Sequence, residues 1–187
     1  PNFSEQFERQ LNRLQMEQID FYLLHGVSDK LISDYLDHGA VEYFAEQKRR
    51  GKVRYFGFSF HGSPDALRHI LKRHSWDFVQ IQLNYYDWFH GTAKEQYEIL
   101  REHNIPIMVM EPAHGGMLAN LPDEAGKIFL SANSQHSFAS WAFRFLRTLP
   151  GIAVVLSGMS ELDQVKDNVK TFSDDTVLSE EDMELIC

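Results

Sequence analysis

The sequence predicts an α/β protein built on a parallel sheet. Three observations predict it: five short runs that are apolar almost throughout, helical patterning between them, and a strand-to-strand interval of about 25 to 45 residues, the length of a βαβ unit. Such crossovers are right-handed.

The strand-like runs cover residues 19–24, 53–58, 78–83, 105–110 and 152–156, each rich in β-branched or aromatic residues. Before the first, Phe3, Phe7, Leu11 and Leu14 fall on one face of a helix. Val41, Phe44 and Ala45 lead into Lys48-Arg49-Arg50-Gly51, a basic last turn closed by glycine. Ser63-Pro64-Asp65 supplies a cap, a proline at the first helical position and an acid in the first turn. A helix carrying Ile99 and Leu100 ends near Asn104, and Phe138, Trp141, Ala142, Phe145 and Leu149 stripe another. Ser160 with Asp163 has the form of a capping box, opening a helix faced by Leu162, Val165, Val169 and Phe172. Ser179 begins a last, acidic helix. Residues 113–135 carry no clear pattern and form a candidate functional loop after the fourth strand. Periodicity leaves an open doubly wound sheet and a closed barrel both standing. No glycine-rich phosphate loop follows any strand in the form that nucleotide-binding open sheets use.

With 187 residues, 43% apolar and 24% charged, the chain is long enough for one domain with a real core. Its formal net charge of −9 argues against nucleic acid, whose phosphates want a basic face. The one cysteine, Cys187, allows no intrachain disulfide and fits a cytoplasmic setting. No apolar run reaches the roughly 18 residues of a membrane helix, and residues 1–4 do not read as a signal peptide.

In either architecture ligands meet the C-terminal strand ends, and all five ends here are polar. They read His25; Ser59 with His61; Gln80 and Asn84; Glu111; and Ser157-Gly158. Each has an ordinary alternative as a hydrogen-bonded core residue, helix cap or turn former. The same residues carry a resemblance. Ile19-Asp20-Phe21-Tyr22-Leu23-Leu24-His25 resembles the fourth barrel strand of the aldo/keto reductase family. Gly51-Lys52-Val53-Arg54-Tyr55-Phe56-Gly57-Phe58-Ser59 resembles its fifth, and Val79-Gln80-Ile81-Gln82-Leu83-Asn84-Tyr85 its sixth. Met110-Glu111-Pro112 with Gly115-Gly116-Met117-Leu118 is similar to the seventh strand and its loop. Ser157-Gly158-Met159-Ser160 with Gln164 and Asn168 is similar to the end of the eighth.

The resemblance implies strands four to eight of a (β/α)8 barrel, a single domain over residues 1–187 with strands one to three absent, and an NAD(P)H-dependent carbonyl reductase as the complete protein. It implies that His25 orients and polarises the substrate carbonyl, a sensible role for an imidazole N–H. Ser59 and Gln80 would hold the nicotinamide carboxamide. Glu111, Pro112, Gly115, Gly116 and Leu118 would lie along the pyrophosphate, the glycines permitting close backbone approach. Ser157, Gly158, Gln164 and Asn168 would flank the adenosine end. Four departures stand against the family pattern. Phe60 replaces a common carboxamide-binding Asn, Met110 replaces the Tyr that stacks under the nicotinamide, and Gly158 and Gln164 replace basic residues that often meet a 2′-phosphate. NADP and NAD therefore both remain open. The family's proton-donating Tyr, with its Asp and Lys, belongs to earlier strands, so the chain alone is expected to be inactive. The Met-Glu-Pro…Gly-Gly form resembles a branch that carries an iron-sulfur cluster after the barrel, which the parent protein would hold beyond Cys187.

Two other readings are kept. A metal-dependent barrel hydrolase could draw on His25, His61, Glu111 and His114, though no His-x-His pair occurs. A reductase-like barrel could also serve as a non-catalytic binding or regulatory module. An isolated five-unit sheet has two open edges, so self-association through them is expected.

Overall fold

Five parallel strands form one sheet and are ordered in it as they occur in the chain: β1 (Ile19–Val27), β2 (Val53–Phe60), β3 (Phe78–Gln82), β4 (Ile107–Met110) and β5 (Ile152–Val155). The structure is a computed structural model and describes residues 2–186. Pro1 and Cys187, the sole thiol, lie outside the described residues. Helix α1 (Phe3–Leu14) precedes β1; α2 (Ile32–Asp37) and α3 (Ala40–Arg49) follow it, and α4 (Pro64–Leu71) follows β2. After β3 come α5 (Tyr85–His90) and α6 (Ala93–Glu102). After β4 come a 3-10 turn (His114–Ala119), α7 (Asp123–Ala132) and α8 (Phe138–Arg147). Then α9 (Leu162–Ser173) and α10 (Glu180–Ile186) follow β5. No helix among the described residues is long and apolar enough to cross a membrane.

The described residues divide into two compact units. One holds the chain up to Ile81 together with Glu98–Ile107; the other holds Gln82–Tyr97 and the chain from Met108 onward.

In the first unit β1 and β2 pair in register until a bulge. Leu24 faces Phe58 and Val27 faces Phe60, so three steps in one strand match two in the other. Gly26 takes up the distortion at φ +70°, a conformation that costs a glycine little. The core is aromatic. Phe7, Phe44, Phe56, Phe58 and Trp76 are buried, and Tyr22 stacks on Phe44 at 4.3 Å, which pushes its phenol up to about 12 by desolvation. Gly57 lets β2 approach β3, because a Cβ there would sit 2.4 Å from the Phe78 carbonyl oxygen. The Ser63 cap of α4 forms as expected, its hydroxyl accepting the Ala66 N–H at 3.3 Å. Leu14 is exposed, so the apolar face of α1 stops at Leu11. The fourth strand begins two residues later than its apolar run, because Pro106 has no N–H to give the ladder, although its carbonyl accepts from Val79 at 3.1 Å.

In the second unit α8 is the central helix, burying Trp141, Phe143, Phe145 and Leu146. Arg144 is buried with them and is fully engaged. It donates to the Ser140 hydroxyl, to the Thr176 carbonyl and, at 2.8 Å, to the Asp174 carboxylate. Arg147 reaches the Thr171 and Asp174 carbonyls, so the connection from α9 to α10 is tied to α8. Two sequence expectations need correction here. Residues 113–135 are not one open loop: they contain the 3-10 turn and α7, whose Phe129 packs on Trp141 at 5.1 Å. The capping box of α9 is Glu161 with Gln164, one residue past Ser160 and Asp163, because the Gln164 carbonyl oxygen reaches the Ser160 and Glu161 N–H groups. The apolar face Leu162, Val165, Val169 and Phe172 forms on α9, but all four side chains are exposed.

Candidate functional site

The second unit supplies a built loop and cavity. After β4 the backbone enters the left-handed region four times: Glu111 at φ +55°, His114 at +47°, Gly115 at +63° and Gly116 at +91°. Two of these carry side chains that disfavour it, so the turn must be held by its bonds. The Glu111 carboxylate accepts the Gly115 N–H at 2.6 Å, the Glu111 carbonyl accepts the His114 N–H at 3.0 Å, and the Ala113 carbonyl accepts from Gly116 and Leu118. Leu118, buried, anchors the turn from below.

Behind the loop lies a polar hub that the sequence reading missed. Asn84, fully buried, caps α5 by accepting the Asp87 N–H at 2.9 Å. Its amide donates to Asp87 Oδ2 at 2.6 Å and to the Glu111 carbonyl at 2.9 Å, so a helix cap and the strained turn share one side chain. Gln82 Nε2 reaches the same carboxylate oxygen at 2.9 Å and His114 Nδ1 at 3.0 Å. In that bond the carboxylate oxygen of Asp87 accepts and Nδ1 of His114 donates. The spacing Asn84-x-x-Asp87, a capping pattern directly after an apolar run, was the available signal.

A cavity of about 350 Å³ opens over this loop, a size within the range of small-molecule sites. Glu111, Pro112, Gly115 and Gly116 line one side. Ser157 and Gly158 line it from the end of β5, and Gln164 and Asn168 from α9, where Asn168 Nδ2 donates to the Ser157 hydroxyl at 3.1 Å. Eight of the residues singled out from the sequence thus surround one space. Leu118 is buried under the loop and does not line it. Ala139, Phe143 and Asp167 do, and nothing in the sequence flagged them. A Cβ at Gly116 or Gly158 would meet nothing within 4 Å, so both backbones face open space. The bare backbone leaves room for a phosphate-bearing group, while the Gly115 and Gly116 N–H groups are given to the Glu111 carboxylate and the Ala113 carbonyl within the loop.

His25, Ser59 and Gln80 belong to the first unit. The His25 ring is exposed at the bulge, while its carbonyl accepts the Tyr35 hydroxyl at 2.7 Å. Ser59 is fully buried and its oxygen accepts the Gly26 N–H at 2.8 Å, which leaves the hydroxyl proton to donate elsewhere. Gln80 is half-buried and stands opposite Ser59 across the β2–β3 pair. Phe60 is a core residue at 1% exposure. His61 is exposed, and among the described residues no three His, Cys, Asp or Glu side chains come together in a way that could hold a metal ion.

Residues 2–187 match the model of the Aldo/keto reductase family. The chain belongs to that family. A relative from Bacillus subtilis (strain 168), described as uncharacterized oxidoreductase YqkF, is 25% identical over 191 residues, covering 89% of this chain and 58% of its own length. Among solved structures, the holo form of aldo-keto reductase AKR11C1 from Bacillus halodurans superposes with a TM-score of 0.77 at 27% identity, over 97% of this chain and 62% of that one. An aldo/keto reductase from Klebsiella pneumoniae in complex with NADP and acetate gives 0.74 at 22% identity, over 96% and 62% respectively, and shows the fold alone. The fold class is thus that of a partial (β/α)8 barrel. The chain spans about three fifths of the length of these relatives.

Proposed function

We propose that the chain is the strand-four-to-eight portion of an NAD(P)H-dependent carbonyl reductase, and that its second unit binds the phosphate and adenosine end of the dinucleotide. One observation carries this reading: the cavity over Gly115-Gly116 gathers the residues that the family resemblance assigns to that end of the cofactor. A NADP-bound relative of the same fold supports it.

The cofactor, when bound, supplies a hydride to a carbonyl carbon. The chain's own residues do the rest. A bound diphosphate would lie against the bare backbone at Gly115 and Gly116, which the hub of Asn84 and Asp87 keeps in its strained form. Ser59 and Gln80, neighbours across two strands, present a hydroxyl and an amide to the carboxamide. His25, exposed, donates an imidazole N–H to the substrate oxygen as charge develops on it. The proton donor is assigned to the portion of the family barrel that this chain does not span.

Titration of NADH and NADPH fluorescence tests the binding step. Saturable quenching below millimolar concentration is expected, and it should vanish in Ala139→Trp, which fills the cavity. No quenching by either dinucleotide overturns the reading. Carbonyl-dependent oxidation of the dinucleotide by the complete protein, lost in His25→Leu, separates an enzyme from a binding module.

A further inference from the structure

We propose that Asp167 makes the cavity select a dinucleotide whose adenosine ribose carries a free 2′-hydroxyl, NAD(H), over the 2′-phosphorylated NADP(H). The inference rests on the dinucleotide reading above and adds which of the two forms fits.

Two carboxylates, Glu111 and Asp167, line the cavity, and among the described lining residues there is no Lys, Arg or His. A 2′-phosphate adds a charge of roughly −1.5 to −2 at neutral pH and wants charge-assisted donors. None line this space, and like charge would be forced into a partly desolvated enclosure with the carboxylates.

Asp167 is oriented by a neighbouring hydroxyl. It is half-buried on α9, one turn from Gln164 and next to Asn168. Its Oδ2 accepts the Ser137 hydroxyl at 2.5 Å. Ser137 caps α8, its oxygen accepting the Ser140 N–H at 3.0 Å, so its proton is directed to Asp167. The carboxylate is therefore oriented, and Oδ1 can accept from a ribose hydroxyl, which donates; a phosphate dianion cannot.

No basic residue among those described lines the cavity. Lys166 pairs with Asp163 at 2.9 Å. By the helical repeat Lys166 stands about 160° around α9 from Gln164; Lys170 stands about 60° from Asp167, one turn further on, and neither lines the cavity. Arg144 is spent on Ser140, Thr176 and Asp174. Gly158, at the cavity edge, has open space where a cation could stand and carries no side chain.

Dissociation constants of NADH and NADPH, measured by calorimetry on the protein at fixed salt, test this, with AMP and adenosine 2′,5′-bisphosphate as probes lacking nicotinamide. NADH is expected to bind at least about tenfold tighter than NADPH, and AMP tighter than the bisphosphate by a similar factor. Asp167→Asn, which keeps the shape and removes the charge, should narrow the ratio to within about threefold. Gly158→Arg, which leaves Asp167 and the α8 cap intact, should tighten NADPH more than NADH. NADPH binding as tightly as NADH in the unaltered protein, or a ratio unmoved in both variants, overturns the proposal and leaves the dinucleotide reading standing. Failure of both dinucleotides to bind overturns the two together.

Discussion

His114 and Asp87 share a 3.0 Å hydrogen bond from Nδ1 to Oδ2, and that same oxygen takes the amides of Gln82 and Asn84. One carboxylate oxygen thus holds a strand end, a helix cap and the strained loop together. Asp87→Ala strips the acceptor from these donors, one of them on a fully buried side chain, and should cost about 1–3 kcal/mol. Amide hydrogen exchange at Gly115 and Gly116 should accelerate relative to that of α8, and dinucleotide affinity should fall with it. An unchanged exchange pattern would show that the loop is held by its backbone alone.

Ser59→Ala removes the oxygen that accepts the Gly26 N–H released by the bulge. The orphaned donor is expected to cost about 1–3 kcal/mol, read as a lower denaturation midpoint with an unchanged slope. Dinucleotide affinity measured on the same variant separates this bond from any contact to the carboxamide.

Two glycine-to-alanine changes should behave oppositely. At Gly57 the added methyl would lie 2.4 Å from the Phe78 carbonyl oxygen, so the strands must part, and a loss of about 2–3 kcal/mol is expected. Gly158→Ala meets nothing within 4 Å and should fall within about 0.5 kcal/mol of the parent. Urea unfolding of the pair, side by side, checks both.

Acidification should destabilise the fold in two stages. Burial, and then the neighbouring Lys48 ammonium, holds the His74 imidazole below its ordinary value; burial and then Arg144 do the same to His136. A folded pKa below the unfolded one means the unfolded chain takes the proton first. Stability is therefore intact above about pH 6.5 and falls as pH drops below it. Hydrogen bonds from Thr176, and then Arg144, hold the Asp174 carboxyl well below the usual carboxylate range, so its contribution is present above about pH 4 and lost on further acidification. Unfolding curves from pH 8 to 3 should show both declines. His74→Phe, whose Nε2 is buried without a partner, should flatten the upper one.

Much of this was legible in the chain itself, for identifiable reasons. The parallel strands read as apolar runs, so all five were found although β5 has no buried residue, and Ser63-Pro64-Asp65 marked α4 by chemistry alone. The loop stood out because clear patterning lapses after the fourth strand, and Gly115-Gly116 because of the family resemblance. What stayed hidden depends on distance in the sequence. Asp167 and Ser137 are ordinary helix residues until folding brings them to 2.5 Å, and Asp87 looks like one acid among many until its donors arrive. The phase of α9 was right but its burial was not, since periodicity reports a face and not what covers it.

The extra residue at His25-Gly26 resets the inside-outside count of β1. Leu24 and Val27, three apart where an even number would be required, share the covered side. Deleting either residue of the pair would remove the bulge and leave Val27 two places from Leu24, on the same covered side by ordinary alternation. What the insertion adds is a backbone donor turned out of the strand ladder, the Gly26 N–H that Ser59 takes up, while Val27 keeps its place in the core.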